Sequence, residues 1–254
     1  MSGSWVLLPP RPVAMVHFLG GAFVATAPHL TYRALLEALA RAGYGVIATP
    51  FVNTTFNHRA IARDVLNRFE TILQRLQRAG QLRTASLPVY GLGHSLGCKL
   101  HLLIGSLYGA ERAGNMLVAY NNYPLRQAIP FGDRLNLPLV AEDLEFVPSP
   151  SETHKLVVSE YQVRRNLLIK FRRDEIDQTL DLAPLLTQRF PTLTAVQTLP
   201  GNHLTPVAQE LDWQAGEAFS PLDALGQWMK QEFYRDLHGL QRELLRWLEP
   251  TTVR

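Results

Sequence analysis

Short apolar runs and amphipathic stretches alternate along nearly the whole 254-residue chain, and no other feature of the sequence constrains the fold as much. The runs at 13–19, 46–48, 86–90, 116–120, 166–171 and 193–199 have the length and residue types of strands. Between them, residues 31–42, 59–79, 96–108 and 180–188 repeat apolar side chains at helical spacing, and Gly43 and Gly80 stop the first two. Strands joined through helices pair in parallel, and the helices then cover both faces of the sheet. The expected fold class is therefore α/β, a mostly parallel central sheet with helices on both faces, built as a single domain over residues 1–254. Near the end, Leu222, Leu225, Trp228, Met229, Leu237, Leu240, Leu244 and Leu248 recur at helical positions and predict a core-covering helix, broken near Gly239.

Residues 124–163 interrupt the rhythm. Prolines stand at 124, 130, 138, 148 and 150, and only 152–161 reads as helix, so the stretch is too long for an ordinary connection. We expect a lid or cap insert, whose opening would expose Leu135, Leu137, Leu139 and Val140 and leaves transient contact with a membrane surface open. Stable membrane insertion is not expected, because no apolar run approaches the length of a bilayer span. The net charge of +3 is spread along the chain, which argues against a nucleic-acid surface. Residues 1–12 lack the pattern of a signal peptide, and the expected location is cytoplasmic. Cys98 is the single cysteine, so there is no internal disulfide, and its expected role is that of a small buried residue. The oligomeric state is left open.

The chemistry begins at Gly93-His94-Ser95-Leu96-Gly97, which lies after a strand-like run and before a helix-like one and reads as a G-x-S-x-G nucleophile elbow. Glycines two before and two after the serine let a strained strand-to-helix turn pack closely and push Ser95 Oγ into the open. The Leu96 amide opens the next helix unpaired and is expected to supply half of an oxyanion hole. A serine hydroxyl needs a base, and the base needs a third group to hold its tautomer. Functional groups of an open parallel sheet gather at the carboxyl ends of its strands. There the sequence offers His203, after the last strand, and Asp174, Glu175 and Asp177 after the strand before it. The other histidines read as structural, His17 and His94 as supports near the site, and no histidine or cysteine cluster suggests a metal. No cofactor is needed.

The order Ser95, Asp174, His203 is that of the α/β-hydrolases, and the chain resembles that superfamily from the first strand to the final helix. The segments Phe18-Leu19-Gly20-Gly21-Ala22-Phe23, Asn166-Leu167-Leu168-Ile169-Lys170-Phe171 and Asp174-Glu175-Ile176-Asp177-Gln178-Thr179 resemble, more narrowly, an uncharacterised cyanobacterial and plastid family of hydrolase-like proteins. The resemblance implies Asp174 as the acid, three residues after the end of its strand. Phe171 stands where the superfamily usually has glycine, so Asp177 is the alternative acid and Glu175 a third. The second oxyanion donor is expected from Gly21, Ala22 or Phe23. Pocket walls are expected from Phe51, Phe56, Asn121, Tyr123 and Arg172 together with the insert. The reading is a serine hydrolase of a small-molecule ester or thioester. The competing reading is a non-catalytic ligand- or partner-binding protein on the same scaffold.

Overall fold

The computed structural model describes residues 3–22, 24–53, 55–82, 86–125, 145–207 and 221–249, with 221–232 described by their backbone. Seven strands form one sheet: β1 (Trp5–Leu7), β2 (Ala14–Leu19), β3 (Tyr44–Ala48), β4 (Val89–His94), β5 (Gly114–Val118), β6 (Asn166–Phe171) and β7 (Thr194–Leu199). Their order is β1-β3-β2-β4-β5-β6-β7, antiparallel at β1 and parallel elsewhere. The expected α/β architecture is thus present.

Alternation along the buried strands sorts the core into two layers. Val16, Phe18, Val46, Leu92, Met116, Leu167 and Ile169 face α1 (Pro28–Thr31), α2 (Arg33–Arg41) and the last helix. Met15, Ile47, Leu117 and Leu168 face the other side, covered by α3 (His58–Arg78), α4 (Leu96–Leu107), α5 (Pro150–Glu160) and α6 (Thr179–Arg189). α7 (Pro221–Leu248) runs unbroken through Gly239 and buries Leu237, Leu240, Leu244 and Leu248, the stripe expected from the sequence. The expected break is absent because a helical glycine costs only about 1 kcal/mol, well below what burying that stripe returns.

Three elements depart from expectation. β1 is only three residues long and carries no periodic signal, yet it closes one edge of the sheet. β4 begins at Val89 and runs to His94, not over 86–90, because the glycines that weaken its strand signal are required by its neighbours. A Cβ at Gly91 would lie 2.2 Å from Asn115 Oδ1. β5 lies at 114–118, two residues before its expected position. In the insert, residues 126–144, with Leu135, Leu137, Leu139 and Val140, lie outside the described residues. Its described end is fastened to the body: Val147 N–H donates to Phe56 O at 2.8 Å and Arg59 N–H to Val147 O at 3.0 Å. Among the described residues, no helix is long and apolar enough to cross a membrane.

Candidate active site

The parallel strands deliver β2, β4, β6 and β7 to one sheet edge, and the loops leaving them carry the site. Ser95 follows β4 directly. Its φ of 54° and ψ of −120° are strained for a side-chain-bearing residue. Ser95 N–H donates to Val118 O at 3.0 Å on the neighbouring strand, and Cys98 N–H donates to Ser95 O at 3.0 Å as the helix begins. The flanking glycines are sterically required. A Cβ at Gly97 would fall 2.1 Å from Leu19 O, and one at Gly93 would fall 2.6 Å from Cys98 N. Strand, turn and helix pack against each other without any room for a methyl group.

His203 Nε2 lies 3.0 Å from Ser95 Oγ, and its Nδ1 lies 2.8 Å from Asp174 Oδ2. With a carboxylate accepting at Nδ1, the proton sits there and Nε2 is free to accept from the serine hydroxyl. Asp174 is buried, and its other oxygen accepts the Ile176 amide at 3.1 Å. The loop carrying His203 is folded on itself: Asn202 N–H donates to Thr205 Oγ1, and Leu204 N–H donates to Asn202 Oδ1, each at 2.9 Å. Gly201 opens the loop with a φ of 120°, where a Cβ would meet Thr205 Oγ1 at 2.4 Å. Asp177 points elsewhere. Its Oδ1 accepts the Thr179 amide at 2.6 Å at the start of α6, and burial pushes its carboxyl above the usual range. Phe171 is buried and its carbonyl accepts the Asp174 amide at 3.3 Å, so the turn that presents Asp174 forms without the usual glycine.

A second chain of hydrogen bonds runs beneath. Gly21 N–H donates to Tyr32 Oη at 2.8 Å, Tyr32 O–H donates to His94 Nδ1 at 2.7 Å, and His94 Nε2–H donates to the His203 carbonyl at 2.9 Å. The carbonyl acceptor at one end dictates every donor along the chain. His94 is fully desolvated, which lowers its pKa to about 3 and keeps the imidazole neutral. Register places this chain beside Ser95, because Leu19 pairs with Gly93 across β2 and β4.

Ser95, Leu96, His94 and His203 open onto a cavity of about 540 Å³, walled also by Gly21, Ala22, Asn121, Tyr123, Phe56 and Leu125. Two expected wall residues are elsewhere. Phe51 is buried and lines a separate groove with Pro50, Val52 and Ile61, because its amide is drawn to Ala25 O. Arg172 is exposed, its backbone held to Leu199. His17 is also not near the site: it lies mid-strand on β2, stacked on Phe69 at 4.3 Å within the α3–α4 layer. Phe23 lies outside the described residues. Cys98 is buried as expected, its thiol 3.2 Å from Gly93 O and Val118 O and pushed well up by burial.

The cavity wall also holds Asn122 and Phe146, the latter from the expected insert, and Lys99 and His58, which the sequence reading left out of the wall. One signal was available: Lys99 is the only Lys, Arg, Asp or Glu of α4, in a helix whose every residue but Leu107 is buried. Tyr32 gave no signal at all, since only the tertiary fold brings it to Gly21 and His94. Among the described residues, no three His, Cys, Asp or Glu side chains are grouped to hold a metal ion.

Solved structures with this fold include carboxyl esterase 2 from the mycorrhizal fungus Tuber melanosporum, with 17% identity, a TM-score of 0.58, and coverage of 92% of this chain and 82% of that one. A structure of the metagenome-derived lipolytic enzymes LipS and LipT aligns with 16% identity and a TM-score of 0.55 over 81% and 91% of the two chains. The thioesterase domain from the curacin biosynthetic pathway aligns with 16% identity and a TM-score of 0.51 over 80% and 90%. The shared fold is that of the α/β-hydrolases. No curated protein matches the sequence. The family profile described as "Protein of unknown function (DUF1350)" matches residues 1–250, and the chain belongs to that family, on an α/β-hydrolase fold.

Proposed function

We propose that the protein is a serine hydrolase of small-molecule esters or thioesters, with Ser95 as nucleophile, His203 as base and Asp174 as the group that orients it. The carrying observation is the continuous relay from Asp174 through His203 to Ser95 Oγ, at 2.8 and 3.0 Å, opening onto a cavity. In this reading Ser95 Oγ attacks the acyl carbon while His203 Nε2 takes its proton, and Asp174 stabilises the imidazolium. His203 then protonates the leaving group, and a water molecule resolves the acyl-enzyme. The Leu96 amide, first in α4, is one oxyanion donor. Gly21 is excluded as the second, because its N–H is spent on Tyr32, and the role passes to Ala22 or Phe23. Structures that share this fold at 14–17% identity are named as lipolytic enzymes, a thioesterase domain, a fluorophosphonate-binding serine hydrolase and a carboxyl esterase, which supports the class of reaction.

A fluorophosphonate probe tests the reading by intact mass. Stoichiometric labelling is expected, abolished in Ser95→Ala and His203→Ala. Absence of labelling in the wild-type protein would refute it and favour a binding protein on the same scaffold.

A further inference from the structure

Lys99 is 1% exposed and belongs to the wall of the cavity, one helical turn after Ser95. Its Nζ donates to Pro148 O at 2.9 Å and sits 5.5 Å from the Phe146 ring centroid. An ammonium has three N–H donors, and among the described residues this carbonyl is the one hydrogen-bond acceptor seen. No described carboxylate forms an ion pair with it. Glu145 spends its Oε1 on the Leu125 and Phe146 amides, and Glu152 closes the capping box of α5 with Ser149. Burial lowers the Lys99 ammonium to about 7, with Glu145 and Glu152 only partly opposing it, so the charge is costly to keep and an anion beside it would restore it.

Building on the hydrolase reading, we propose that the Lys99 ammonium binds a carboxylate at the far end of the substrate's acyl chain, so that the enzyme prefers ω-carboxyacyl esters or thioesters over neutral ones. Three observations select this class. First, among the described residues that line the cavity, Lys99 is the one Lys, Arg, Asp or Glu. His58, stacked on Phe146 at 4.2 Å, is held neutral by burial and by Lys99, and burial likewise lowers His154, so a monoanion matches better than a phosphate dianion. Second, Val24, Phe56, Leu125 and Phe146 give the cavity apolar walls suited to methylene groups between the two polar ends. Third, Lys99 contacts Phe146 and Pro148, whereas His203 contacts Asp174, Ser95 and His94, and the two sets share no residue. The leaving group must lie on the His203 side to receive its proton, so the anion belongs to the acyl half. In the first step the Ser95 Oγ–acyl bond forms and the bond to the leaving oxygen or sulfur breaks. The serine proton passes through His203 to the leaving group. Water then splits the acyl-enzyme, releasing a dicarboxylate and regenerating Ser95.

Monoethyl adipate and ethyl hexanoate have the same acyl length and differ in a carboxylate for a methyl group. The expected kcat/KM ratio favours the monoanion by roughly tenfold or more. Lys99→Met is expected to lower that ratio by the same factor, while Lys99→Arg keeps most of it. A wild-type ratio near one, or a ratio unchanged in Lys99→Met, overturns the proposal, and the wild-type measurement stands even if Lys99→Met fails to fold. Calorimetric binding of the two esters to Ser95→Ala separates this proposal from the hydrolase reading. Preference for the monoanion in binding, with no fluorophosphonate labelling of the wild type, would uphold the Lys99 site and reject the hydrolase. Labelling and turnover without any anion preference would do the reverse.

Discussion

At the scale of single residues, two carboxylates three positions apart have different tasks because one backbone turn separates them. Asp174 faces His203, and Asp177 faces the Thr179 amide with Lys170 Nζ at 4.0 Å. Asp174→Asn is expected to lower kcat by about 10³–10⁴, since an amide cannot hold the imidazole in the same tautomer. Asp177→Asn keeps an oxygen for Thr179 and should stay within about threefold of wild type on the same assay. The reverse ranking would move the acid to Asp177. Tyr32 joins the glycine loop to the histidine loop. Tyr32→Phe leaves the Gly21 amide and His94 Nδ1 buried without partners and should cost about 1–3 kcal/mol in urea denaturation. An unchanged midpoint would mean that the chain of hydrogen bonds is slack.

At the scale of elements, glycines with the same side chain have opposite consequences, decided by what surrounds them. Gly97→Ala places a methyl group against Leu19 O, a backbone atom that cannot move without shifting β2, so soluble folded protein is not expected on expression. Gly239 lies in α7, where a Cβ meets nothing within 4 Å. Gly239→Ala should therefore raise stability by about 0.5–1 kcal/mol through helix propensity, seen as a higher urea midpoint with unchanged slope. The segment at 145–148 behaves as part of the wall. Its Phe146 ring stacks on His58 and its Pro148 carbonyl holds Lys99, so it ties the end of the insert to both α3 and α4.

At the scale of the whole molecule, burial of histidine couples the fold to pH. Burial lowers His17 well below the usual value, and His58, His94 and His101 to about 3. In the unfolded chain each takes up a proton near pH 6.5. Between roughly pH 6.5 and 3 the unfolded state therefore binds more protons, and stability rises with pH across that window. The histidine contribution is complete above pH 6.5 and lost as pH falls, by up to about 1.4 kcal/mol per pH unit for each histidine. Urea midpoints should fall as pH drops from 8 to 7, where Lys99, lowered by burial to about 7, has the same sign, and fall most steeply below 6.5, less steeply there in His17→Leu. A profile that first bends near pH 4.5 would assign the acid sensitivity to carboxylates alone.

The fold class was legible because strand and helix differ in period, and β6, α5, α6 and α7 fall within a residue or two of where that period puts them. Ser95 and its two glycines were legible for a related reason: a tight turn leaves a local mark in the choice of residues. His203 and the three candidate acids came from chain order and the sheet-edge rule, which name a neighbourhood and no more, while the preference for Asp174 came from the superfamily resemblance. What the sequence determined by itself was therefore everything whose physics is local: periodicity, turns and the residue types that the chemistry requires. Only the tertiary structure decided which acid meets His203, that the Gly21 amide is already taken, that Phe51 and Arg172 lie outside the cavity, and that Lys99 lines it. Each of those depends on contacts between residues far apart in the chain, set by strand register and loop packing, which a one-dimensional pattern does not encode.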